Sequence, residues 1–237
     1  VLYKCGVGRG QVVLTEVLGE HFDGIGVTDD YSAYQSQFTE HQLCWAHFLR
    51  KAIALSLRNP DNGQYKRFLK SLFAIYYDGV RASRDRRLST GRQAKVNRLQ
   101  AQIRMMCRRY GEILNDTVAV DDVKFVRLQN ELVDHTEKLF VFVLHPEVEP
   151  TNNRSEHQAR PEAMARKTAR TSKTEAGAKR REVIMGVLAS LSKRMEKVTL
   201  GHVLADINRW IETGHSVFRD ELASLQAATA SSSRAPP

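Results

Sequence analysis

The spacing of apolar positions changes period twice along the chain. Val1 to Val7 alternate loosely and favour β structure, Gly6, Gly8 and Gly10 interrupt them, and Val12, Val13, Val17 and Leu18 then recur at helical spacing. That order predicts a strand, a turn and a short helix over Gln11 to Leu18. Phe22 to Thr28 is a short apolar run punctuated by glycine and closed by Asp29 and Asp30. It predicts a buried strand whose C-terminal edge presents acids, and with the preceding elements a further β-α-β unit. From His41 onward Leu43, Ala46, His47, Arg50, Lys51 and Leu55 follow helical spacing, and no further strand is expected for about a hundred residues. Three helical stripes fill that stretch: Phe68, Leu69, Leu72, Phe73 and Tyr76; Val96, Leu99, Ile103, Met106 and Tyr110; and Phe125, Leu128, Leu132, Leu139 and Val143. Pro146 and Pro150 end the block, and Thr151, Asn152 and Asn153 offer N-cap chemistry for a helix through Glu156 and Arg160, with Pro161 expected to break or kink it. Val183 to Leu191 and Val203 to Ile211 predict two more amphipathic helices, and Ala227 to Pro237 a disordered tail.

At 237 residues the chain has room for one large domain or two small ones, and an apolar fraction of 42% excludes disorder for most of it. The longest uncharged apolar runs, Leu139 to Leu144 and Val183 to Ser192, fall well short of the roughly 18 residues of a membrane span, so a soluble protein with no membrane partner is expected. Cys5, Cys44 and Cys107 are odd in number and far apart, and no secretion signal follows Val1. A reducing, cytoplasmic setting follows. Lys and Arg number 36 against 27 acids, a net charge of +9 that favours a polyanionic partner, most commonly nucleic acid.

Four groups of residues could carry chemistry. Gly6, Gly8 and Gly10 fail the dinucleotide fingerprint, because Gln11 holds the third glycine's place, so a plain turn is expected. Cys44 and His47 have the spacing of a zinc-ligand pair, but two ligands are not four, and a buried Cys with a packed His is the simpler reading. Asp29 and Asp30 are hard oxygen donors at a strand's C-terminal edge, suited to Mg²⁺ or Mn²⁺ or, more blandly, to capping a turn. Glu156 opens a helix among cations and could equally form an ordinary ion pair with Arg160. Between Arg154 and Lys197 twelve Lys and Arg accompany five Glu. An acid set in such a field fits a metal-dependent phosphodiester site, since a metal needs carboxylates while a phosphate backbone needs counter-charge. A second basic stretch, Arg81, Arg84, Arg86, Arg87, Arg92, Lys95, Arg98, Arg104, Arg108 and Arg109, either tracks phosphates or forms a solvated helix face.

Three motifs in order, Thr28-Asp29-Asp30-Tyr31-Ser32-Ala33-Tyr34, Cys44-Trp45-Ala46-His47 followed by Arg50, and Pro150-Thr151-Asn152-Asn153-Arg154-Ser155-Glu156 with Arg160-Pro161 and Arg166-Lys167, resemble the transposases of the insertion sequence 66 family. The resemblance runs from about Val7 to Lys193. It implies an α/β (α+β) fold: an incomplete ribonuclease-H-like core of the DDE type with a large all-helical insertion and a helical C-terminal part. The expected division is core over 1–56, insertion over 57–146, core return over 147–213, and a helix end with the tail over 214–237. By the same resemblance Asp29 and Glu156 are the catalytic and metal-holding acids, with Mg²⁺ (or Mn²⁺) as cofactor. Cys44, His47, Asn152 and Asn153 support them, and Arg154, Arg160, Arg166, Lys167, Lys173, Arg86, Arg87 and Arg98 contact DNA. The implied reaction is strand cleavage at transposon ends and strand transfer into target DNA, in a nucleoid-associated protein that forms a homodimer to pair two ends. The chain departs from the pattern at Asp30, where the family has Gly, and at His157, where it has Arg. The family's first aspartate lies upstream of the matched residues, so the expectation is an N-terminally truncated transposase with impaired activity. The alternative is a non-catalytic basic DNA-binding remnant or regulatory protein, whose affinity would fall with salt and ignore Mg²⁺.

Overall fold

The structure is a computed structural model; it describes residues 10–34, 37–88, 90–111, 120–168, 172, 174–195, 198–221 and 223–224. The strand expected over Val1 to Val7 and the tail expected from Ala227 lie outside the described residues. The chain divides into two compact units, one over Gly8–Ala159 and one that takes in the residues from Arg160 onward.

In the first unit, helix α1 (Gln11–Leu18) ends at Gly19, whose φ of 83° is a conformation that glycine adopts without strain. Strand β1 (Phe22–Thr28) pairs in parallel with β2 (Phe38–Leu43), with Gly26 opposite His41 and Thr28 opposite Leu43. These are the two strands among the described residues, and they give the mainly helical chain its α+β character. β1 is half-exposed rather than buried, with Gly26 its one buried residue; there the Phe38 ring lies against the strand, and a Cβ would collide with it. β2 corrects the expected helical period from His41. Residues His41 to Leu43 are strand, and helix α2 (Trp45–Arg58) begins only after Cys44. The apolar spacing misleads here because all of Leu43, Cys44 and Trp45 are buried, so the period of the helix runs back unbroken into the strand.

The helical block is α3 (Gly63–Arg84), α4 (Arg92–Gly111) and α5 (Val120–Asp134), followed by a 3-10 turn at Thr136–Leu139 and the short helix α6 (Val141–Leu144). Asn62 caps α3 by accepting from the amides of Gln64 and Tyr65. The third expected stripe is thus split: Phe125, Leu128 and Leu132 lie on α5, whereas Leu139 and Val143 lie beyond it. The stripes interlock through aromatic side chains. Phe68 meets Phe125 edge to face at 4.8 Å between ring centroids, and Trp45 packs on Tyr76 at 5.3 Å and on Phe140 at 5.4 Å. Arg92 leaves the basic stretch to become part of the fold. Its guanidinium donates to the carbonyls of Ala82, Ser83 and Asp85, at the end of α3 and its cap, and to Val143 on α6.

In the second unit, α8 (Glu175–Arg194) and α9 (Leu200–Thr213) start at Thr174 and Thr199, whose hydroxyls accept from Gly177 and His202. The Asp206 carboxylate accepts from the Ser216 hydroxyl and the amides of Val217 and Phe218, closing the turn after α9. Helix α7 (Asn153–Lys167) contains Pro161, so the proline does not end the helix as its type suggests. A proline leaves the upstream carbonyl unpaired, a loss that a solvent-facing position tolerates, and Pro161 is exposed.

The block is pinned to the sheet by two buried polar side chains. Gln42 donates through Nε2 to the Leu139 carbonyl and accepts the Phe142 amide at 3.0 Å, and the Trp45 indole N–H donates to the same carbonyl at 2.6 Å. Replacing Gln42 by Leu strands the Phe142 amide in a dry interior. It should cost about 2 to 4 kcal/mol, read as a lower urea midpoint; an unchanged midpoint would contradict this anchoring.

Candidate active site

The site is assembled where β1, β2, α2 and α7 meet. The Cys44 amide donates to the Thr28 carbonyl at 2.8 Å, so the N-terminus of α2 is fixed to the end of β1, and Asp29 follows directly. The next amide, Trp45, donates to Pro150 at 3.0 Å, and the Asn152 amide donates to Cys44 Sγ at 3.3 Å. The segment 150–152 is therefore held against the start of α2, and α7 launches from it, with the Glu156 amide donating to the Asn152 carbonyl at 3.0 Å. Asp29 and Glu156, far apart in sequence, are both anchored through Cys44.

Each acid has a different environment. Asp29 Oδ1 accepts the Tyr31 amide at 3.4 Å, a turn that orients the carboxylate, and Tyr31 packs edge-on against Tyr34. Asp30 Oδ2 lies 3.3 Å from His135 Nε2. Glu156 is gripped by α2: Arg50 Nη2 donates to Oε2 at 3.2 Å and His47 Nε2 stands 3.5 Å from Oε1. Cys44, His47 and Arg50 are spaced three residues apart, so one face of α2 holds the segment 152–156 at three points.

His41, on β2, is buried beneath the acids. Thr28 has one hydroxyl proton, which the Asp29 carbonyl takes at 2.7 Å, so His41 Nε2 donates to Thr28 Oγ1 at 2.6 Å. Its Nδ1 is then a lone pair, buried with no partner among the described residues. Burial, reinforced by the positive charge of Lys138, lowers the His41 pKa from 6.5 to about 4, with His135 acting in the same direction and Asp30 and Asp29 opposing. His47 Nδ1 and Asn152 Oδ1 are likewise buried and unpartnered in hydrogen-bond terms. Carboxylates and an amide oxygen are hard donors of the kind Mg²⁺ takes, so these residues fit such an ion in donor type. Among the described residues no group of three or more His, Cys, Asp or Glu is arranged to hold a metal ion. Cys44 and Cys107 are free and buried, and burial pushes the Cys107 thiol up to about 12; Cys5 lies outside the described residues.

The basic residues divide. Asn153, Arg154, Arg160 and Lys167 are exposed on α7, with Arg154 facing Glu149 at 3.8 Å. The Arg166 side chain and the whole of Lys173 lie outside the described residues, as do the side chains of Arg108 and Arg109. Arg86 and Arg98 are exposed. Arg87 instead grips Asp85 with Nε and Nη2 at 3.0 and 3.1 Å, holding that carboxyl below its usual range, and Lys95 and Arg81 share Asp78. Sequence reasoning assigned no role to Arg50, His41 and His135. The three-residue spacing after Cys44 carried a signal for Arg50; nothing in the sequence brings His41 or His135 to Asp30. No described helix is long and apolar enough to cross a membrane.

A family model described as transposase IS66 family matches residues 1–180. No curated protein and no solved structure matches the chain.

His41 gives the site a pH dependence of known sign. The folded state keeps it neutral down to about pH 4, whereas the unfolded chain binds the proton near 6.5. Its contribution is complete above pH 6.5 and is lost as pH falls toward 4, at most about 3 kcal/mol. Urea unfolding should show stability falling from pH 7.5 to pH 5, with a shallower fall for His41→Gln; identical profiles would remove His41 as the cause.

Proposed function

The chain belongs to the IS66 family of transposases, and from that membership we propose that it carries two of the three acids, Asp29 and Glu156, of a DDE-type site for DNA strand cleavage and strand transfer at transposon ends. The observation that carries the reading is the junction at Cys44, which ties the end of β1, and so Asp29, to the segment that launches Glu156. Parallel strands with an acid after the first, a helical block, and a return to a glutamate on a helix's first turn are the order a ribonuclease-H-like core requires.

In this reading Asp29 and Glu156 hold Mg²⁺ (or Mn²⁺). The bound ion supplies Lewis-acid activation of water or a 3′-hydroxyl for in-line attack at phosphorus and stabilises the departing oxygen. The protein's own groups do the rest. The Tyr31 amide orients Asp29, His41 and Thr28 fix the backbone from which Asp29 projects, and His47 and Arg50 set the position of Glu156. Asn152 and Asn153 start the glutamate helix, and the exposed Arg154, Arg160 and Lys167 with Arg86 and Arg98 supply counter-charge to the phosphate backbone.

The test is cleavage of a plasmid bearing the element's two ends by the transposase as the element encodes it. Asp29→Asn and Glu156→Gln should each lower Mg²⁺-dependent cleavage by about a hundredfold or more, since several kcal/mol of transition-state stabilisation pass through these carboxylates. Binding to the same DNA should persist. Cleavage at wild-type rate in either variant would overturn the assignment.

A further inference from the structure

The Glu156 carboxylate is held by Arg50, and the surroundings of that cation give it a second use beyond positioning the glutamate. Arg50 spends one Nη2 contact on Glu156. A guanidinium has five donors in a planar fork, and no described residue accepts from the remaining ones of Arg50. Its side chain is 54% exposed and that of Glu156 40%. An ion pair so open to water is worth between nothing and about 1 kcal/mol, so it yields to a better anion. A phosphate is such an anion, because it accepts two parallel N–H bonds from the same fork. The neighbouring cations are engaged differently: Lys51 pairs with Glu131, Arg58 with Asp121 and Arg154 with Glu149, carboxylates with no part in the site. Arg50 alone of these four pairs with a carboxylate assigned to the reaction.

We propose that Arg50 is a DNA-phosphate contact whose charge is masked by Glu156, so that the glutamate and the DNA backbone compete for one guanidinium. The inference rests on the DDE reading for the identity of the polyanion, and it adds a binding residue and a coupling between that residue and the site's glutamate. Competition has a definite thermodynamic form. Removing the Glu156 charge strengthens DNA binding more when Arg50 is present than when it is absent, and the difference is the coupling between the two positions.

The experiment is a double-mutant cycle on the full chain, read by fluorescence anisotropy with a labelled duplex carrying the element's terminal sequence, in EDTA at fixed salt. Glu156→Gln should tighten binding about three- to fivefold in the presence of Arg50, the fold-change of an exposed pair's release. In the Arg50→Gln background the same change should give less than about a twofold effect. Between Glu156→Gln and the double variant, the slope of log affinity against log salt should shrink by about one. Arg50→Lys keeps the charge and should recover part of the affinity lost in Arg50→Gln. An additive cycle overturns the inference and leaves the DDE reading standing. Weaker binding on Glu156→Gln overturns it in the opposite sense, since the glutamate would then orient Arg50 toward phosphate. No binding of duplex by any form removes the DNA partner, and the inference with it, while undiminished cleavage in the Asp29 and Glu156 variants would remove the DDE reading alone.

Discussion

The first amides of a helix have no partners within it, and in this chain those at the start of α2 are what the site is built on. Cys44 N–H bonds to the end of β1 and Trp45 N–H to Pro150, so one turn of backbone receives the strand that presents Asp29 and the segment that launches Glu156. A buried amide left unpaired costs about 1 to 3 kcal/mol, which makes each of these bonds a constraint on the two segments it joins. Cys44 adds its side chain as a third tie, accepting the Asn152 amide. That use of the sulfur gives the Cys-x-x-His pair a structural role: the His, one turn on, faces the same incoming segment.

The long helical excursion between β2 and Pro150 returns to its starting point because its end is anchored to its beginning. Gln42 and Trp45 flank Cys44 and together hold Leu139 and Phe142. The entropy of closing a loop grows only with the logarithm of its length, so an inserted block that packs internally adds little strain to such a junction. The interlocked aromatics of Phe68, Phe125, Trp45 and Phe140 show that the block does pack internally.

Much of this was legible in the sequence, for reasons particular to each element. β1 and the acids after it stand out because glycine bounds a short apolar run, and α3 and α4 because their stripes face one core. β2 was hidden: four of its six residues are polar, and its apolar end is continuous with the buried face of α2. The break between α5 and α6 was hidden by a stripe that keeps its spacing across a 3-10 turn. Within the site, local motifs marked Asp29, Cys44, His47 and Glu156. His41 and His135 reach the acids only through strand pairing and tertiary packing, which no local pattern records. The charge count was the least transferable signal. Of the basic stretch from Arg81 to Arg109, Arg92 is consumed by carbonyls, while Arg81, Arg87 and Lys95 pair with the neighbouring Asp78 and Asp85. The surplus offered to a polyanion there is smaller than composition implies.

The acids of the candidate site are held in different ways, and the difference bears on how the proposed site would work. Asp29 is steadied by a backbone amide, a partner that cannot leave without moving the turn. Asp30 and Glu156 are instead held by side chains, His135 for the first and His47 with Arg50 for the second, all of them at least partly exposed to solvent. Partners of this kind hold a geometry without contributing much energy, because water screens the pair and the side chains give up rotamer freedom to make it. The site therefore has one acid whose position is built into the backbone and another whose partner can change. Under the proposed reading that division would suit a phosphodiester reaction, because an acid tied to a strand end would keep a fixed frame for the reacting phosphorus. An acid held by an exchangeable cation would be free to hold a metal ion while its former partner turned to the phosphate backbone, so the same guanidinium would serve the site before and after DNA arrives.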